Sequence, residues 1–285
     1  MKIAISGSTG LIGKQLSYLL LQSGHEPISI SRTDLSAGIN HLAKVIKSCD
    51  VIINLAGAPV LQRWNEKNKQ NILSSRVDTT KKLVEAVRLN LPEHQPIVFI
   101  SASAISVYKN GSIHDEKSTN LGSDFLAAVC HAWEKETEPL NGLKIRLCTI
   151  RIGIVLGRTG GSLKTMLPMF KLGLGGKIGS GKQYFSFIHI EDVCRAIEYL
   201  IRNTQCSGIY NLVGPNPVTN ELFTKALSEK LHRPAIFAVP GFMLKLIFGK
   251  ASDLIIEGAA VKPAHLLNDG FRFNYPDIRS ALEHI

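Results

Sequence analysis

A short apolar run, Lys2–Ser6, passes directly into Gly7-Ser8-Thr9-Gly10-Leu11-Ile12-Gly13, and residues with helical spacing follow. No other feature constrains the fold as strongly. In such a turn the first glycine permits the tight bend and the second lets the backbone approach a pyrophosphate. The third lets helix and strand pack closely. The helix N-terminus then directs free N–H groups at an anion. Glycine spacing alone is weak, but its place between a strand and a helix is what a dinucleotide-binding turn demands. A turn without a ligand would use the same glycines, so the downstream residues matter.

Downstream, strand and helix patterns alternate. The spacing predicts strands at Pro27–Ser31, Val51–Leu55 and Pro96–Ser101, and a strand region over 144–155. Helices are predicted over 11–21, 64–90 and 124–138. Alternation of this kind implies right-handed crossovers and a parallel sheet. We therefore expect an α/β fold: a Rossmann-like doubly wound parallel sheet with a smaller C-terminal substrate lobe. The 285 residues, 45% of them hydrophobic, suffice for both. Residues 1–157 are assigned to the cofactor domain and 158–285 to the lobe, with the chain passing between them more than once. The lobe begins with glycine-rich GLGGKIGSGK. Gly176, Gly181 and Lys182 are spaced as in a P-loop, but Gln183 stands where a magnesium-binding Ser/Thr is needed and a strand follows. We read a substrate or cofactor loop instead. After it, YFSFIHIEDVCRAIEYLI predicts a strand and a helix that Asp192 would cap, then GIYNLVG and a helix near 219–231.

Arg32 stands 19 residues beyond Gly13, at the end of the second strand. An acid there accepts bonds from a ribose 2′-OH, whereas an arginine suits a 2′-phosphate. NADP is therefore favoured over NAD. The alternative is a surface arginine, with Asp34 serving NAD.

The formal net charge is +10, with basic residues scattered among acids. That favours anionic ligands, but no nucleic-acid motif accompanies it, and no nucleic-acid partner is expected. The five cysteines show no C-x-x-C spacing, which argues against zinc, any other metal centre or a disulfide framework. No apolar run approaches the ~20 residues of a membrane span, and the N-terminus lacks a signal-peptide core. A cytoplasmic protein with no membrane partner is expected. The apolar segment IFAVPGFMLKLIFG, residues 236–249, fits a buried lobe helix, a homodimer contact or a membrane-surface element.

Several blocks resemble the extended short-chain dehydrogenase/reductases. They are the glycine turn, Asn54-Leu-Ala-Gly57, Ser101-Ala-Ser103, Arg151-Ile-Gly153 and His189-Ile-Glu-Asp192. More specific blocks, at 63–80, 160–193 and 257–278, resemble the atypical group called epimerase family proteins, with its sugar-epimerase-like branch. The resemblance covers nearly the whole chain. It implies bound NADP, held by the glycine turn, by Ser31 and Arg32 at the adenosine phosphate, and by Leu55 and Ala56 along the adenosine ribose. It also implies Asn71 and Arg76 facing the cofactor from the long helix and Val155 near the nicotinamide. Gly57 and Ser101 belong to the same cofactor set.

In that superfamily a tyrosine is the general acid/base, and a lysine four residues on lowers its pKa from about 10. A serine orients the substrate oxygen, and Ser103 matches it. Counting back from Glu134, the tyrosine and lysine positions fall near Leu126 and Cys130. The spacing of Leu126, Val129, Cys130 and Trp133 predicts a packing face. Asp124 is expected to cap this helix, and Glu134 to bond to the opposite lobe. Tyr108 and Glu116 remain as acid/base candidates; a cleft-wall tyrosine and a solvated loop charge are their plainer readings. His189 is read as structural. Two functions stay open. One is an NADP-dependent oxidoreductase or epimerase acting on a small hydroxylated substrate such as a nucleotide sugar. The other is a non-catalytic NADP-binding protein that senses redox state or docks a partner.

Overall fold

The structure, a computed structural model, describes residues 1–158 and 160–283. In chain order the first elements are β1 Lys2–Ser6, α1 Leu11–Gln22, β2 Glu26–Ile30, α2 Arg32–Ser36, α3 Ile39–Ile46 and β3 Val51–Asn54. There follow α4 Glu66–Leu89, β4 Val98–Ala104, β5 Ile113–His114, α5 Phe125–Lys135, β6 Arg146–Ile152, β7 Ile154–Leu156 and α6 Gly161–Lys171. Next come β8 Gly176–Ile178, β9 Tyr184–Phe185, β10 Phe187–His189, α7 Ile190–Arg202, β11 Gly208–Leu212 and β12 Val218–Thr219. The chain ends with α8 Asn220–Leu231, β13 Phe237–Val239, α9 Gly241–Phe248, α10 Asp253–Ile256, β14 Ala260–Val261, α11 Ala264–Asn268 and α12 Ile278–Glu283.

Six of the strands form one parallel sheet in the order β11-β6-β4-β3-β1-β2. These strands read as continuous apolar runs because both faces are covered. Ile3 and Ile5 of β1 and Val51 and Ile53 of β3 turn to one face, where Leu16 and Leu20 of α1 and Ile197 and Leu200 of α7 cover them. Ala4, Ile52 and Phe99 turn to the other, against Leu42 and Ile46 of α3 and Leu83, Val84 and Val87 of α4. Strand order reverses at β1, with β2 on one side and β3 on the other. The crevice beyond the carboxyl ends of strands at such a switch point is where open α/β sheets bind ligands.

The remaining strands form two-stranded pairs in the second lobe and at its junction: β10-β7, β12-β9, β13-β8 and β14-β5. The lobe's core is built from Leu156, Leu163, Phe170, Phe185, Phe187 and Phe223. The chain returns to the main sheet between these pairs: α7 packs on the α1 face and β11, the GIYNL segment, adds the edge strand beside β6. The expected cap of α7 is corrected. His189 is the N-cap, its Nδ1 accepting from the Glu191 N–H at 3.3 Å. Fully buried Asp192 instead accepts from the backbone N–H groups of Asn274 and Tyr275, each at 2.9 Å, and pins the C-terminal segment to the sheet domain.

Candidate functional site

The glycine turn follows β1. Gly7 has φ +75°, and a Cβ there would lie 2.7 Å from the Leu55 carbonyl oxygen. At Gly13 a Cβ would lie 2.3 Å from the Gly7 oxygen, so helix and turn fit only without a side chain. Gly10 differs: apart from the Gly7 oxygen at 3.2 Å, no atom comes within 4 Å of its Cβ position. It faces open space at the head of α1, which has no side-chain cap. Its N-terminal N–H groups therefore remain available to an anion.

A cleft of about 330 Å³ opens beside this turn. Gly7, Gly10, Leu11, Ile12 and Gly13 line one wall; Leu55, Ala56, Gly57 and Arg76 line another. Ser103, Val155 and the α5 residues Leu126, Cys130 and Trp133 close the far end. On the turn Thr9 is exposed, while Ser8 is half-buried and shares a hydrogen bond with Ser29 Oγ at 2.5 Å. Ser101, on β4, is buried with no hydrogen-bond partner for its hydroxyl and is not on the lining. Asn71 is exposed on α4, also off the lining.

Arg76 is the main charge in the cleft. Its Nη1 donates to the Ile72 carbonyl at 3.0 Å, its guanidinium lies 5.3 Å from the Trp133 ring centroid, and no carboxylate among the described residues pairs with it. Burial pushes its pKa down. A partly desolvated cation without an acid is costly unless an anion joins it. Arg32 sits at the first position of α2, exposed and without an ion pair among the described residues. Ser31 caps that helix in a reciprocal box with Asp34. Asp34 also accepts from His41 Nε2 at 2.9 Å, and the Ser31 and His41 bonds hold its carboxyl down at about 2. Asp34 is thus engaged within its own loop, while Arg32 is free to meet a ligand.

At the far end Ser103 Oγ donates to Glu134 Oε1 at 2.6 Å. Arg151 clamps the same carboxylate with Nε at 2.9 Å and Nη2 at 2.8 Å. Glu134 therefore bonds within the sheet domain, which corrects the expectation of a bond to the opposite lobe. β4 and β6 are parallel neighbours, and their register sets Ser103 opposite Arg151. Asp124 caps α5 as expected, accepting from the Leu126 N–H at 2.8 Å and the Ala127 N–H at 3.0 Å. Trp133 Nε1 donates to Thr80 Oγ1 at 2.8 Å, and Asn54 Nδ2 donates to the same oxygen at 2.7 Å. Sequence reading gave Thr80 no part in this network. Leu126, Val129, Cys130 and Trp133 are a buried face, as the spacing predicted, but that face is also a wall of the cleft. Burial raises the Cys130 thiol to about 11, with Glu134 adding to the effect.

The placing of Tyr108 and Glu116 at the substrate is corrected. Tyr108 is 1% exposed and is not on the cleft lining. Its hydroxyl donates to Asn211 Oδ1 at 2.9 Å and accepts from Arg151 Nη1 at 3.0 Å, and its ring stacks on His114. Burial raises its pKa, against the opposing pull of Arg151. Glu116 is buried and accepts from the backbone N–H groups of Asn211 at 2.9 Å and His265 at 3.3 Å. Both side chains tie the 105–121 segment to β11 and the C-terminal segment. Among the described residues, no cluster of His, Cys, Asp and Glu could hold a metal ion.

The chain is 34% identical over 299 residues to an epimerase family protein, YfhF, of Bacillus subtilis, covering 100% of this chain and 98% of that one. The crystal structure of human epimerase family protein SDR39U1 with NADPH matches with a TM-score of 0.92 and 32% identity, over 100% and 99% of the two chains. A nucleoside-diphosphate sugar epimerase from Corynebacterium glutamicum matches with a TM-score of 0.80 and 33% identity; this chain covers 57% of that one. Residues 239–285 match a domain of unknown function, DUF1731. Residues 3–213, the whole of the sheet domain through β11, match the NAD dependent epimerase/dehydratase family, and the chain belongs to that family.

Proposed function

We propose that this chain binds NADP in the cleft and acts as an oxidoreductase or epimerase on a small hydroxylated compound. Arg76, a half-buried guanidinium lining the cleft with no ion-pair partner among the described residues, is the observation that carries the cofactor reading. The residues present fit the group. The uncapped α1 terminus and Arg76 would hold the pyrophosphate, unpaired Arg32 the 2′-phosphate, and Leu55 and Ala56 the adenosine ribose. The human relative, solved with NADPH, supports the same choice of cofactor. When bound, NADP supplies or accepts hydride; the protein supplies geometry and a path for the proton.

Ser103 lines the far end of the cleft, which supports a role for it toward a substrate oxygen. Its own proton is committed to Glu134, so toward a substrate its oxygen can act only as an acceptor. That polarity suits a substrate hydroxyl. Leu126 and Cys130 occupy the wall where the family resemblance puts the tyrosine and lysine. Leu126 cannot move a proton, and the Cys130 thiol, raised to about 11, stays protonated at neutral pH. That wall favours a second reading, an NADP-binding protein that does not turn over substrate.

Arg32→Ala should weaken NADPH binding about ten- to hundredfold, because charge-assisted bonds to the phosphate are lost. NADH binding should change little. Calorimetry showing equal NADPH and NADH affinity in the wild type would sink the cofactor reading. A screen of sugar nucleotides and small carbonyl compounds for NADPH oxidation separates the two functions. A turned-over compound, slowed in Ser103→Ala, supports the enzyme; none in a broad screen, with tight NADPH binding, supports the second reading.

A further inference from the structure

The second lobe carries an apolar face that the cofactor cleft does not explain. Leu172 is 72% exposed, Ile236 84%, Phe237 61%, Phe242 65%, Leu246 71% and Ile247 60%. No side chain of α9 is buried, so the buried-helix reading of residues 236–249 is corrected. Three links hold the two sequence segments together. Arg233 Nε donates to the Lys171 carbonyl at 3.1 Å, Pro234 lies against Gly173, and β13 pairs in parallel with β8. Monomeric soluble proteins rarely expose a contiguous apolar patch of more than a few hundred Å² without a partner for it.

Charge decides which partner. Residues 160–182 and 232–252 hold seven lysines and arginines and no aspartate or glutamate. Of these, Lys171, Arg233, Lys245 and Lys250 are exposed at or beside the apolar face. No ion pair engages them among the described residues. A second copy of the chain would oppose this face with the same excess of positive charge. An anionic partner matches it. The eight residues of α9 span about 12 Å, too short to cross a hydrocarbon core of about 30 Å. Apolar side chains flanked by lysines on a short helix suit the headgroup boundary, where lysine stems lie along apolar surface and their ammonium groups reach phosphate.

We propose that this face docks on the surface of an anionic lipid bilayer. Phe242, Leu246, Ile247 and Ile236 enter the headgroup–acyl boundary, and Lys171, Arg233, Lys245 and Lys250 meet lipid phosphates. The proposal is independent of the cofactor reading, because no residue of the face lines the cleft.

The test is co-sedimentation of the full chain with vesicles of phosphatidylcholine alone and with vesicles containing phosphatidylglycerol. Binding to the anionic vesicles should be about tenfold stronger or more, and high salt should release it. The double variant Leu246→Glu/Ile247→Glu should lower that binding about tenfold or more by placing acids on the apolar face. Its NADPH affinity and Tm should stay at wild-type values. Lys245→Glu/Lys250→Glu should lose the preference for anionic lipid by removing the phosphate contacts, and it decides the matter if the first variant folds poorly. The proposal fails if the wild type binds neither vesicle, if binding ignores lipid charge and salt, or if the charge variant binds as the wild type does. It fails also if ultracentrifugation shows a dimer that Leu246→Glu/Ile247→Glu returns to monomer while no vesicle is bound, which would assign the face to a second copy.

Discussion

At the scale of single residues, the polar groups that look catalytic in the sequence divide between two environments. Ser103 reaches the cleft; Tyr108 and Glu116 lie behind it in a network that runs from Arg151 through Tyr108 to Asn211 and Glu116. Tyr108→Phe should therefore leave NADPH affinity and any turnover unchanged. It should cost about 1–3 kcal/mol of stability, because the Asn211 and Arg151 side chains each lose a buried partner. Urea denaturation beside a binding titration checks both halves; a large loss of turnover with unchanged stability would return the tyrosine to the reaction. Glu134→Ala should be harsher. The Arg151 side chain is 6% exposed, and removal of its carboxylate leaves a buried cation unpaired, at a cost of about 3–5 kcal/mol. The denaturation midpoint reads this directly. The place of Arg32 just past the second strand was legible in the sequence, because the apolar run of that strand sets where it ends. The burial of Tyr108 was not, because its partner Asn211 lies 103 residues away on the edge strand.

At the scale of elements, the site is the meeting of two helix or strand ends with the sides of two other helices. α1 contributes an uncapped terminus, β3 the Leu55–Gly57 edge, α4 a guanidinium and α5 an apolar wall. The glycine turn makes the sharpest prediction. A Cβ at Gly10 would approach only the Gly7 oxygen, at 3.2 Å, outside its chain neighbours, so Gly10→Val should still fold, with at most a modest drop in Tm. Its branched side chain would stand where the pyrophosphate must approach the backbone, and binding of both NADPH and NADH should be lost. Fluorescence titration of NADPH beside a melting curve tests this, and normal NADPH binding would move the phosphate site elsewhere. Strand and helix positions in the sheet domain could be read from periodicity because a doubly covered parallel sheet needs unbroken apolar runs and its helices need one apolar stripe. The cap of α7 could not. His189 and Asp192 both sit where a cap would, and only the packing of Asn274 and Tyr275 gives Asp192 another task.

At the scale of the whole molecule, the five cysteines are free and buried, scattered over both faces of the sheet domain. Burial raises the thiols of Cys49 and Cys130 to about 11 and those of Cys148 and Cys194 to about 12, and moves Cys206 in the same direction. The thiolate is the reactive form, so Ellman's reagent should find almost no reactive thiol in the native protein at neutral pH. It should find all five in guanidinium; rapid native reaction of one cysteine would mark a local opening. By itself the sequence determined the alternating strands and helices of the sheet domain, the glycine turn between β1 and α1, and the place of Arg32 just past the second strand. Each is local: a run of about a dozen residues fixes its strand, turn or helix, and so its chemistry. Tertiary structure alone decided that Tyr108 and Glu116 brace the fold, that Glu134 and Arg151 orient Ser103, and that residues 236–249 lie exposed on the surface. Those outcomes depend on which elements become neighbours. Burial and hydrogen-bond partners are set by contacts between segments distant in sequence, and residue type and spacing do not encode them.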